Sequence, residues 1–261
     1  MANKNDNRSG ADVSCEGMIR KAAHLSAHEL TDTELAAINK YALEPLKSED
    51  VFTFKAVLCD NEVDRQFERF SLKALQDLQK LFLGKTVIKD HGWSADGQVA
   101  RIYATELVQG TKTTKSGELY TQLVAHCYMV KTASNADLIA EIKGGIKKEG
   151  SVGCSVSSSI CSICGTDNAK SYCRHWPGKS YDKEGGAQVC TFTLAGAKDA
   201  YEFSLVAVPA QKAAGVSKSY TGKTVYEDPE TEPETNTNTE LALRIRTAEA
   251  TARTHNHIKE D

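Results

Sequence analysis

The stretch VFTFKAVLC, residues 51–59, decides the fold class of this chain. Its β-branched and aromatic residues alternate with polar ones in the manner of a strand buried on one face. Downstream, QVARIYATELV (98–108) and ELYTQLVAHCYMV (118–130) have the same texture and are separated by a Thr/Lys/Ser/Gly turn. TVIKDH (86–91) reads as a short strand running into a loop, and SVGCSVSSSI (151–160) as a strand of small residues. QVCTFTL (188–194) and YEFSLVAVP (201–209) supply two last strands before Pro209.

Helices are fewer and fall between these strand groups. Thr31 to Glu34 has the form of a capping box, and Leu35, Ile38, Tyr41 and Leu43 suit a short amphipathic helix that Pro45 stops. Ser71 opens a second helix with Leu72, Leu75, Leu78, Leu81 and Phe82 on one stripe, ended by Gly84. A third spans 135–146, with Leu138, Ile139 and Ile142 on one face and Gly144-Gly145 loosening its end. The pattern predicts an α+β fold: a mostly antiparallel β-barrel or sheet core with peripheral helices. Residues 1–48 form an extension with a short helix, 49–216 the main domain, and 217–261 an acidic tail. Between Glu227 and Glu240 there are six acidic residues and no basic ones, a composition that buries too little apolar surface to order itself. The helical tract ELALRIRTAEATAR (240–253) is expected to form only against a partner.

Composition limits function. The 261 residues carry a formal charge of −3, so no overall basic field points to nucleic acid. No apolar run is long enough to span a bilayer, and Met1 leads into Asn, Lys, Asp and Arg; the reading is a soluble protein that is not secreted. Of the eight cysteines, Cys15, Cys59, Cys127 and Cys154 are scattered and read as small hydrophobes.

The other four crowd into a cysteine-rich insertion at about 158–190. CSICG (161–165) is a CxxC knuckle, and Cys173 and His175 follow after an eight-residue loop. Zinc takes thiolate and imidazole in a tetrahedron, so Cys161, Cys164, Cys173 and His175 form a complete and therefore structural shell. Cys190 is an alternative fourth ligand, since the CxH spacing is tight. Lys170, Arg174 and Lys179 lie nearby with Tyr172 and Trp176, a sparse set for binding nucleic acid.

Three further residues carry chemical potential. His91 sits where an apolar strand turns, in KDHGW (89–93), while His126 lies inside a strand and His24, His28, His255 and His257 in polar termini. Ser151 opens its strand among small neighbours, and a serine becomes a nucleophile only beside a base. Ser155, Ser157, Ser158 and Ser159 follow closely, and spacing does not choose among them. Glu202 lies in an otherwise apolar strand, where an acid is costly unless paired. It could equally orient an imidazole or form an ion pair.

Four segments, VLCDNEVDRQFERFSLKAL (57–75), KDHGWSADGQVARI (89–102), GSVGCS (150–155) and YEFSLVAVPAQKAAGV (201–216), stand in a distinctive order. Together they resemble the caudovirus prohead serine protease family, which shares its fold with the herpesvirus maturation proteases, the assemblins. The resemblance covers roughly residues 50–216. It implies an assemblin-like fold, with His91 as general base, Ser151 as nucleophile and Glu202 at the acidic position of the closing strand, and an oxyanion hole of backbone N–H groups for which the Gly144-Gly145 region before the serine strand is the candidate. In assemblins the third member is a second histidine, and the zinc knuckle is absent from the simplest family members. The implied activity is capsid maturation: cleavage of scaffolding and capsid precursor proteins, and of the protease itself, inside the prohead in the bacterial cytoplasm, with self-association there. Retention of both His91 and Ser151 speaks against the alternative, a non-enzymatic zinc-stabilised assembly protein.

Overall fold

A computed structural model describes residues 30–211, 213–217, 219–220 and 223–224. The readings made for Cys15, His24, His28, the acidic segment from Glu227 and the tract 240–253 lie outside the described residues. The strands are β1 (Val51–Asp60), β2 (Glu68–Phe70), β3 (Thr86–Lys89), β4 (Ala100–Thr113), β5 (Leu119–Val130) and β6 (Gly150–Cys161). They continue with β7 (Ser180–Lys183), β8 (Gly186–Val189), β9 (Phe192–Leu205) and the short β10 (Gly215–Ser217), β11 (Ser219–Tyr220) and β12 (Lys223–Thr224). Three α-helices accompany them: α1 (Asp32–Asn39), α2 (Leu72–Leu81) and α3 (Ala136–Lys143).

The main sheet runs β10-β1-β5-β4-β3-β9-β2, with β6 also paired to β9. The α+β class stands, but the sheet is mixed and is not a closed barrel. Both β2 and β3 run parallel to β9, β2 against Phe192–Leu194 and β3 against Glu202–Leu205. The cause is local: α2 carries the chain from β2 to β3 without reversing it, so both strands keep one direction along β9. Closure fails because β10 is three residues long. A single bridge, Glu149 to Gly215, joins it to the entry of β6, and beyond that the outer edge of β6 has no ladder among the described residues.

A further departure concerns the last strands. QVCTFTL and YEFSLVAVP do not form two strands; β9 runs unbroken from Phe192 to Leu205, and Gly186–Val189 belongs to the β7–β8 hairpin. Residues 195–200 between those two segments stay in the strand, with register shifts against β6 between Gly153 and Cys154 and between Ser155 and Val156. The first helix also stops early, at Asn39, because that side chain turns back to bond both backbone groups of Leu46.

The core lies between the sheet and α2. Leu75, Leu78 and Phe82 are fully buried, as their stripe requires, and each contributes roughly 1.5–3 kcal/mol of apolar burial. Ser71 caps α2 by accepting from the Ala74 N–H. On the opposite face of the sheet, Ile38 of α1 packs with Val51, Tyr103 and Tyr128. His126 lies on a neighbouring strand position with its Nε2 2.9 Å from Glu106 Oε1, an ion-pair partner that Lys55 shares.

At the end of β1, Asp60 is buried and accepts from Tyr120 Oη at 3.0 Å and from the Glu62 N–H. Burial nonetheless pushes its carboxyl from 3.8 to about 6. The folded protein therefore holds this proton more tightly than the unfolded chain, and stability falls as pH rises through the window between those values. A gap of two units corresponds to about 3 kcal/mol. Asp60→Asn is expected to flatten that dependence, read as urea midpoints at pH 4 and pH 7; an unchanged slope would assign the effect elsewhere.

Candidate active site and metal centre

The strand β9 organises the site because it carries β3 on one side and β6 on the other. Its register pairs Ser204 with Ile88 and with Ser151, and Glu202 with Thr86 and with Gly153. Directly opposed residues project to the same face. One row across the sheet is thus Ile88, Ser204, Ser151, and the next is Thr86, Glu202, Gly153.

His91 enters this face from the turn after β3. Its Nδ1 lies 2.9 Å from Glu202 Oε1. A carboxylate only accepts, so Nδ1 carries the hydrogen, and in the neutral ring that leaves the lone pair on Nε2. Glu202 is 3% exposed, and its Oε2 is buried with no hydrogen-bond partner. Burial pushes its carboxyl above the ordinary range, while the hydrogen bond and charge of His91 pull it back. A Cβ at position 153 would collide with that carboxylate, which is the physical reason for glycine there.

The turn itself is held under strain. Asp90 and His91 both have left-handed backbones, at φ 50° and 51°, a conformation that costs L-residues energy and collects at functional sites. Two hydrogen bonds from β9 hold it: the Asp90 N–H donates to Leu205 O at 3.0 Å, and the His91 N–H to the buried Ser204 Oγ at 2.8 Å. Ser204→Ala leaves that N–H unpaired, at a cost of about 1–3 kcal/mol. The expected result is a lower urea midpoint and loss of the downfield Nδ1 proton resonance of His91, both restored by Ser204→Thr; an unaltered resonance in the alanine variant would count against this role.

Of the residues singled out from sequence, His91 and Glu202 are in direct contact. Ser151 lies on the same face, opposite the serine that holds the His91 backbone, and its hydroxyl makes no hydrogen bond among the described residues. Ser155 pairs with Asp199, beyond a register shift and away from His91. Gly144 and Gly145 are not free to stabilise an oxyanion: their N–H groups bond Ala140 O and Ile142 O at the end of α3. Ser204 and Gly153 escaped sequence reading, although their spacing of two from Glu202 and Ser151 marks the shared face.

The cysteine cluster lies at the far ends of β6 and β9. Cys161, Cys164, Cys173 and His175 set four ligand atoms within 4.8 Å of one another, which makes the cluster able to hold a metal ion. Cys164 Sγ and Cys173 Sγ are 3.4 Å apart, Cys173 Sγ and His175 Nδ1 3.2 Å, and Cys161 Sγ and His175 Nδ1 3.8 Å. Four ligands at about 2.0–2.3 Å around zinc have edges of roughly 3.3–3.8 Å, so the donor set fits that ion. Hydrogen bonding with Thr166 pulls the Cys164 thiol down to about 6. Cys190 Sγ lies 3.8 Å from Cys161 Sγ but outside the four-atom group. It packs with Cys161, Cys173 and Phe192 in a small core of their own. Cys59, Cys127 and Cys154 are free thiols, the first two fully buried.

No family model, curated protein or solved structure matches this chain.

Proposed function

We propose that the chain is a serine endopeptidase of the prohead maturation type, with Ser151 as nucleophile, His91 as base and Glu202 as the acid that orients it. The observation that carries this reading is the His91 Nδ1 to Glu202 Oε1 contact, made by a buried carboxylate in the row next to Ser151. A lone surface histidine needs no such partner; a general base does, because the carboxylate fixes the tautomer and stabilises the imidazolium.

The chemistry follows from these groups. His91 Nε2 takes the Ser151 hydroxyl proton as Oγ bonds to a peptide carbonyl carbon. The proton passes to the leaving nitrogen as the C–N bond breaks, and a water repeats the cycle on the acyl-enzyme, releasing a carboxylate and restoring Ser151. The Gly150 N–H points away from β9, to Ala214 O, so by strand alternation the Val152 N–H faces the open edge of β6. It is the donor proposed for the oxyanion.

The metal proposed for the knuckle is zinc in a structural role, since four protein ligands leave no open position. The proposed substrates are scaffolding and capsid precursor proteins, with self-cleavage, inside a phage prohead in the bacterial cytoplasm, where copies of the protease associate. Among the described residues no helix is long and apolar enough to cross a membrane. The deciding experiment treats the purified protein with a fluorophosphonate and maps the adduct by mass spectrometry. Labelling at Ser151 is expected; an adduct at Ser155, or none, would overturn the assignment.

A further inference from the structure

Beside Glu202, on the β3 side of the same face, lies a cleft of about 340 Å³ whose lining includes Lys85, Thr86, Ile88, Trp93, Tyr201 and Glu202. Nothing in the catalytic reading uses it. Trp93 is 75% exposed and Tyr201 41%, and their ring centroids are 5.7 Å apart. Large rings are normally spent on burial, so two of them left half-open at one cleft mark a place where a ligand supplies the missing contact. Trp93 follows His91 by two residues and Tyr201 immediately precedes Glu202, so the cleft is continuous with the catalytic groups.

The chemistry of the lining narrows the occupant. Lys85 Nζ lies 3.3 Å from Asp199 Oδ1, and Glu202 Oε1 is engaged by His91. The one carboxylate oxygen without a partner, Glu202 Oε2, is buried and offers no surface to an ion in the cleft. Thr86, Ser94 and Gln98 add neutral polar groups, but the lining is mostly apolar, so Ile88 and the two rings favour an uncharged apolar group; the volume sits at the low end for ligand sites, suited to one side chain. Ile88 stands two strands from Ser151, roughly 10 Å, which an extended peptide covers in about three residues.

Building on the protease reading, we propose that this cleft is a specificity subsite: it takes an aromatic or long aliphatic side chain of the substrate, two or three residues from the scissile bond. Trp93 and Tyr201 are its specificity-determining residues. They grip the substrate chain and leave proton transfer at Ser151 untouched.

The test pairs two readouts on the full chain. Cleavage sites in a tryptic peptide library from a bacterial lysate are mapped by mass spectrometry for the wild type, Trp93→Ala and Tyr201→Ala, and fluorophosphonate labelling of Ser151 is timed for each. The wild type is expected to prefer Phe, Tyr, Trp, Leu or Met at one fixed position within three residues of the cut. Either variant should lose that preference by ~10-fold or more while labelling stays within about threefold. An unchanged cleavage profile in both variants overturns the subsite. So does loss of labelling in both, which would make the rings supports of the His91 turn. A wild type that labels but prefers no side chain near the cut sinks the subsite alone, whereas one that neither labels nor cleaves removes the protease reading and the subsite with it.

Discussion

Ser151→Ala is expected to lower peptide hydrolysis by about 10³- to 10⁶-fold, whereas Ser155→Ala should stay within about threefold of wild type. The separation comes from β6 itself: Ser151 stands opposite Ser204, whose hydroxyl holds the His91 backbone, while Ser155 lies past a register shift against Asp199. His91→Ala should match Ser151→Ala, and the double variant should be no worse than either, because the two act on one proton. Glu202→Gln keeps an oxygen for Nδ1–H but loses the charge that steadies the imidazolium. Its rate should fall by about 10⁴-fold with little change in KM. Co-expression with capsid and scaffolding precursors, followed by gel analysis of processing, reads the whole series. Full processing by Ser151→Ala would end its candidacy as nucleophile.

Loss of the knuckle metal should be the second large effect. A complete cysteine and histidine shell holds zinc with an apparent free energy of about 10–16 kcal/mol at neutral pH, and that binding is folding energy for the segment around it. Cys161→Ser should abolish one equivalent of bound metal, measured by elemental analysis, and should raise amide exchange across the ends of β6 and β9. Cys190→Ser should retain the metal, since its sulfur approaches Cys161 from outside the ligand group. The reverse pattern, with metal lost from Cys190→Ser and kept by His175→Ala, would exchange the fourth ligand. Wild-type protein purified without metal, yet protected from exchange in this region, would remove the site altogether.

Much of this was legible because the deciding signals are local. Strand texture marked β1, β4, β5 and β6, and the stripe from Leu72 to Phe82 marked α2 and its buried face. The CxxC and CxH spacings marked the knuckle. What escaped reading depends on pairing between distant segments. Direction within the sheet was invisible because α2 determines it only by lying along β9. The continuity of β9 depends on register shifts against β6 that its own residues do not announce. The pairing of Glu202 with His91 rather than a lysine could not be seen in an acid flanked by apolar residues, and the alternatives left open for it were physically equivalent at that stage. Gly144-Gly145 misled because glycine pairs serve both helix ends and anion nests; here the helix carbonyls claim their N–H groups.

The knuckle also bears on how quickly β6 and β9 find one another. Cys161 at the end of β6 pairs with Phe192 at the start of β9, and the thirty residues between them must be looped before the first rung forms. Closing a flexible loop of that length costs about 3 kcal/mol of chain entropy beyond a constant, and long-range pairings of this kind slow folding. A metal ion that gathers Cys161, Cys164, Cys173 and His175 shortens the search before any strand has formed. It would cut the loop left to close before Phe192 to the sixteen residues after His175, most of them in the β7–β8 hairpin, and from there the ladder can zip toward Ser151 and Glu202. If the knuckle takes up a metal during synthesis, its supply would then influence the rate at which Ser151 and Glu202 are brought onto one face.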